Sequence, residues 1–355
     1  MKALKKGLLV FCLMLLPVPS AFAFGGPKGP QYVPLEKISD AKYLKKAVDD
    51  LTDDTKGKQF GKVKKIVIPS YYIEFRTTSS GKAVNKGLLG QHGVSADISL
   101  TYGNPDPAVM QAIATAALAD LTERLAAAGY EVVKPADVAG LEPFKKLAPF
   151  PSGKIAESTV KQVGFSNFKS MYAAAEELPI YFDGVMQDPE APSAPHFDGT
   201  AVSGAVWEKA GGDGVGVLRP KIVVDFVNFT SETGQKAAKD FMGNEILPDR
   251  FGNVPKSDFA SISAIPQVKI YGSMLGVTRT YVKVMGNTYP DDVGSVYLKG
   301  DIELISTTTS DALGRVEDKN GQWVFTADNE KYKEVAIDLL KTYNALMVGK
   351  AKSFK

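Results

Sequence analysis

The chain has 355 residues, 44% of them hydrophobic, with 42 lysines and arginines against 40 aspartates and glutamates and a formal charge of +2. That balance excludes recruitment to nucleic acid by net charge. The single cysteine, Cys12, excludes a disulfide framework, a cysteine metal site or a thiol nucleophile in the rest of the chain.

Lys2, Lys5 and Lys6 precede an apolar run from Leu8 to Leu16, and Ala21-Phe22-Ala23 follows it. This is the order of a cleavable secretory signal over residues 1–23. Pro17 and Pro19 end the run well short of the roughly 20 apolar residues that a membrane anchor needs. The expected product is cut near Ala23, carries no transmembrane segment, and works in a bacterial periplasm or is secreted. Without the three leader lysines it holds 39 basic against 40 acidic residues.

Residues 24–61 open with GGPKGPQYVP and continue with a polar stretch, which predicts a mobile leader with one short helix over Tyr43 to Leu51. The lysines at 62, 64 and 65 read as charges that keep a strand edge soluble. Residues 62–355 are expected to form a single α+β domain with an insertion at about 150–216. VKKIVIPSYYIEF, from Val63, has the β-branched and aromatic composition of one buried strand. TTSSGKAVNKGLLGQHG then reads as a long hairpin loop before the strand VSADISLTY.

Asn104-Pro105-Asp106-Pro107 supplies a cap and an N1 proline, and apolar residues recur at helical spacing as far as Gly129, so a helix is predicted over 106–128. Tyr130 to Val133 returns as a strand, followed by a short helix over Ala136 to Leu147. Residues 150–216, rich in Pro, Gly and Ala, predict a functional loop or inserted subdomain with one helix near Phe168 to Glu177. VLRPKIVVDFVNFT and QVKIYGSMLGVTRTYVKVM follow as strands, and Val296 to Leu304 alternates strictly. Asn320-Gly321 marks a tight turn. A stripe from Tyr332 to Met347 predicts a final helix over 328–347 that docks on a sheet. The fold expected is a mainly antiparallel sheet packed on one side by the two long helices.

KVKKIVIPSYYIEF, AVMQAIATAALADLTERLAAAGYEVVKPADV and EKYKEVAIDLLKTYNALM together resemble periplasmic α/β modules: the globular part of the curli secretion channel family and the N-terminal domain of the Tol–Pal translocation protein. The resemblance implies a fold and a neighbourhood, the bacterial envelope. The lipidated cysteine of the first family and the propeller of the second are absent, so neither anchoring nor propeller function is implied.

No catalytic constellation emerges. His92 and His196 lie on separate predicted loops without metal-ligand spacing. No G-x-S-x-G occurs, and Ser203-Gly204 and Ser273 are ordinary. Gly211 to Gly216 precedes a strand instead of following one and reads as a turn, not a phosphate cradle. Asp188, Glu190, Asp198 and Asp213 lack ordered calcium-loop spacing. No cofactor is expected. Tyr71, Tyr72, Phe75, Tyr181, Phe182, Phe226 and Phe229 are core by default, and as a group they are the candidate lining of an apolar ligand pocket. The leading expectation is a non-enzymatic envelope protein that binds or assembles with another envelope component. The alternatives are a periplasmic carrier of a hydrophobic small molecule or lipid, and a hydrolase using carboxylates alone.

Overall fold

A computed structural model describes residues 29–85, 94–142, 144, 150–157, 169–176, 178, 180–181, 201–237, 256–284, 287–300, 302–308 and 310–355. The secretory signal expected over residues 1–23 lies outside the described residues. The first half contains β1 (Gly29–Gln31), α1 (Ala41–Leu51), β2 (Thr52–Thr55), α2 (Lys58–Gly61), β3 (Lys65–Val67), β4 (Tyr72–Arg76), β5 (Thr78–Asn85), β6 (Val94–Tyr102), α3 (Pro107–Ala127), β7 (Glu131–Val133), α4 (Pro135–Val138), β8 (Lys154–Glu157) and β9 (Lys169–Ala174). The second contains α5 (Ala201–Lys209), β10 (Val215–Lys221), β11 (Val223–Ala237), β12 (Lys256–Tyr271), β13 (Met274–Val284), β14 (Asn287–Leu298), β15 (Ile302–Ile305), α6 (Ser310–Leu313), β16 (Gly314–Lys319), β17 (Gln322–Ala327) and α7 (Asn329–Lys352).

The protein is α+β, with mixed sheets in which antiparallel pairs predominate. One sheet runs β1-β15-β12-β11-β4-β9-β8 and a second runs β2-β14-β13-β10-β3-β7. The neighbours β15-β12-β11-β4 in the first are the chain continuations of β14-β13-β10-β3 in the second, in the same order. The two sheets are therefore halves of one sheet bent along a crease. Each segment that reads in sequence as one strand crosses that crease and becomes two. The breaks fall at Pro69-Ser70, at Ile222, at Gly272-Ser273 and at Lys299-Gly300, where proline or glycine interrupts three of the four runs. Gly272 has φ +56, a conformation that a Cβ disfavours. Ser273 Oγ accepts from Val223 N–H at 3.4 Å and donates to the Tyr271 carbonyl at 3.1 Å, which ties two strands together at the bend.

The helices α3 and α7 pack on each other and span both halves, α3 meeting β4, β7 and β9 while α7 meets β2, β12, β14 and β15. One flat sheet with two helices on one side is the coarse form of this arrangement. Asp106 accepts from Ala108 and Val109 N–H to start α3, and Asp328 accepts from Lys331 N–H to start α7. Asn344, buried in α7, donates to Ala117 O at 2.9 Å and Asp120 Oδ2 at 3.0 Å, and so fixes the two helices in register. A third sheet, β16-β17-β6-β5, packs on β11 and β12 through β5 and β6.

Four expectations are corrected. Residues 29–61 are built into the body instead of forming a mobile leader: β1 pairs with β15, β2 with β14, and α1, which contains the expected Tyr43–Leu51 helix, packs on α7. The stretch 78–85 is a strand in hairpin register with β6, not a loop; its serines hide an alternation in which Ser79 and Ala83 point inward. The helix near Phe168 to Glu177 is β9, whose residues Ser170 to Ala174 are all buried. A strand covered on both faces shows no alternation, and its alanines mimic a helical pattern. The helix beginning near Ala136 is a single turn, α4.

Candidate functional site

The six predicted aromatics among the described residues do not gather around one cavity. Tyr71, Phe75 and Phe226 are fully buried in the main core. Phe226 stacks on Phe325 at 5.7 Å and meets Tyr102 at 5.4 Å, joining β11, β17 and β6. Tyr72 belongs to a separate small core with Phe150 and Tyr172, and Tyr181 meets Phe144 at 5.0 Å in a third. Phe229 is partly buried against the main core, and Phe182 lies outside the described residues. A cleft of about 140 Å³ lies between Tyr32, Glu36, Thr307 and the Glu334 to Thr342 face of α7, and none of the six described aromatics lines it. Pockets for drug-sized ligands usually measure about 300–1,000 Å³.

His92, His196, Asp188, Glu190 and Asp198 also lie outside the described residues, while Asp213 is exposed in the turn between α5 and β10. Among the described residues no group of three or more metal-ligating side chains is placed to hold an ion.

What the seven-stranded sheet does carry is a ladder of buried charge. Glu303 on β15, Lys269 on β12, Asp225 on β11, Arg76 with Glu74 on β4, and Ser170 on β9 occupy consecutive strands. Lys269 Nζ lies 3.2 Å from Glu303 Oε1 and 4.0 Å from Asp225 Oδ2. Arg76 Nη1 lies 3.1 Å from Glu74 Oε1, which also accepts from Ser170 Oγ at 2.8 Å. Glu74, Arg76 and Asp225 are 1%, 3% and 2% exposed, so no dissolved substrate reaches the two carboxylates.

Burial pushes the Asp225 carboxyl up from its ordinary value; Lys269, the Ser79 hydroxyl, Arg76 and the Phe226 N–H pull the other way without overcoming it. Burial opposes the charge on Arg76, yet Glu74, Tyr271 and Asp225 together hold its pKa above the usual value.

Asp225 also sits at a β-bulge, where the β11–β12 register shifts between Asp225 and Val227. Its Oδ1 accepts the Phe226 N–H at 2.8 Å. A bulge bends and twists its strand. Beyond it, β11 and β12 leave the body as a two-stranded ribbon: Val223 to Asn228 are buried, whereas Thr230 to Thr233 are exposed.

The β5–β6 hairpin lies along this ribbon. Ser79 Oγ donates to Asp225 Oδ2 at 3.0 Å near the root, and Asn85 Nδ2 donates to Gly234 O at 2.8 Å farther out. Between these bonds Gly81 faces Phe229 and Ile262 so closely that a Cβ would stand 2.7 and 2.6 Å from them. The two hairpins thus form one arm, pinned at its root by the charge ladder. Val84 and Val94, at the outer end of β5–β6, are 47% and 39% exposed. The β13–β14 hairpin likewise leaves the body with Val282 and Tyr289 exposed.

Sequence reasoning overlooked both the arm and the ladder. The signal for the ladder was a single charge in the middle of each apolar run: Glu74 in YYIEF, Asp225 in VVDFV and Lys269 in QVKIY. Comparison of the chain with protein-family models, with curated proteins and with solved structures finds no match.

Proposed function

We propose that this chain is a non-enzymatic protein of the bacterial cell envelope that assembles with another envelope component, and that the outer half of the two-hairpin arm is its contact surface. The observation that carries the reading is the arm itself: strands that continue past the core, braced against each other and ending in exposed valines. Among the described residues the ribbon runs on from the main core into exposed positions at Thr230 to Thr233, and an exposed ribbon has a physical reason to persist when something else packs on it. The secretory pattern of residues 1–23 supports that location.

The carrier alternative gains no support from the aromatics, which are distributed among three packed cores. The carboxylate hydrolase gains none from Glu74 and Asp225, which are sealed from water.

The test is purification of the protein from the envelope of its own host after mild cross-linking, wild type beside Val84→Asp with Val94→Asp. A cross-linked envelope component that disappears in the double variant is the expected result. A partner retained equally by both, or a wild-type protein that comes away uncross-linked, overturns the assignment.

A further inference from the structure

Residues 56–65 and 350–355 contain eight lysines and no acidic side chain. Nearly three hundred residues apart in sequence, they form one end of the folded molecule. The Phe354 ring lies in a notch over α2, where a Cβ on Gly57 would stand 2.5 Å from it, and Gly61 packs against the Phe354 carbonyl. Lys355 Nζ reaches Ala128 O and Gly129 O, each at 3.1 Å, beside the strand β7 that pairs with β3.

Among the described residues two of the eight lysines are in ion pairs, Lys65 with Glu131 at 2.8 Å and Lys350 with Asp54 at 3.3 Å. Lys56, Lys58, Lys62, Lys64, Lys352 and Lys355 are exposed and have no acidic partner among the described residues. The opposite end of α7, about 36 Å away at 1.5 Å per residue, is balanced: Glu330 pairs with Lys333 at 2.5 Å and Glu334 with Lys331 at 3.0 Å, and residues 329–341 hold three acidic and three basic side chains. A chain of almost no net charge therefore has a basic pole, and short lysine groups seen separately in sequence do not reveal it.

We propose that this pole docks on an anionic lipid surface. Every cation in it is lysine, a compact, strongly hydrated point charge. Lysine is depleted from protein–protein contacts, where arginine and aromatics dominate. The diffuse potential of an anionic bilayer, by contrast, rewards each lysine near the surface without demanding fixed geometry.

The experiment is co-sedimentation with vesicles of phosphatidylglycerol and phosphatidylcholine in equal parts, and with phosphatidylcholine alone. The protein is purified from cells that produce the full chain. A variant carrying Lys58→Glu, Lys62→Glu, Lys64→Glu and Lys352→Glu, and its four-glutamine counterpart, are compared with wild type after circular dichroism shows the fold intact. Wild type is expected to bind only the anionic vesicles and to release them at about 1 M salt, where the screening length is about 3 Å. The glutamate variant should bind about 100-fold or more weakly, and the glutamine variant should fall in between. No binding to anionic vesicles, equal binding by wild type and variants, or tighter binding to a single-stranded oligonucleotide of matched charge would each overturn the proposal.

Discussion

Ser79 and Asp225 are joined by a 3.0 Å hydrogen bond between hairpins that belong to different sheets. The bond ties the root of the arm to the charge ladder, and Lys269 is the ladder's central cation. Lys269→Met removes the charge facing both Asp225 and Glu303 while keeping the volume. Stability at neutral pH should fall by about 3–5 kcal/mol, the usual cost of leaving a buried charge uncompensated. Ser79→Ala should cost only about 1 kcal/mol. Denaturant midpoints of the two variants check the order, and equal effects would show that the ladder is not the dominant tie.

The titration of Asp225 gives a second expectation, with a defined sign. Its folded pKa lies above the ordinary 3.8, so between the two values the folded chain binds more protons than the unfolded chain. The contribution of Asp225 to stability is therefore largest below that window and is lost as pH rises through it. Measured as unfolding free energy against pH, wild type should lose ground relative to Asp225→Asn from about pH 3.8 upward. A relative gain over that range would contradict the burial argument.

Gly81 separates the arm from the body experimentally. Valine there pushes on Phe229 and Ile262, and overpacking of this kind costs about 1–3 kcal/mol. Hydrogen exchange should accelerate in β5, β6 and the outer halves of β11 and β12, while amides of α3 and α7 keep their protection. Uniform acceleration would mean that the arm and the body open as one unit.

At the other pole, Lys355 Nζ stands 3.5 Å from the Tyr130 ring centroid while bonding to the last carbonyls after α3. Lys355→Ala removes a cation from a helix C-terminus and from an aromatic face, for a loss of about 1 kcal/mol. Thermal unfolding followed by circular dichroism should show a small drop in midpoint. An unchanged midpoint would assign the contact no energetic role.

The two long helices were legible because their caps and apolar spacing are local: Asp106 with Pro107, Asp328, and the stripe from Tyr332 onward set them without help from the rest of the chain. The Asn320-Gly321 turn was equally legible, with φ of +59 and +82 in a two-residue hairpin. The crease was not. Val296 to Leu304 keeps its alternation through Lys299-Gly300, with Val296, Leu298, Ile302 and Leu304 buried, although the strand changes sheet there. Periodicity records which face is covered, and it carries no information about what covers it. The arm escaped for a related reason: Ser, Thr and Lys in β5 resemble loop residues until a second hairpin is placed against them.

The crease also constrains how the molecule acquires its structure. Four chain segments each lend one half of their length to either side of the bend, so neither half closes its hydrogen bonds without the other. Fragments cut at the bend would leave open strand edges on both pieces, prone to pair with whatever strand they meet. Assembly must bring together β3, from the first fifth of the chain, and β13, from its last third, on either side of β10 before any part is secure. Such long-range pairing makes folding slow.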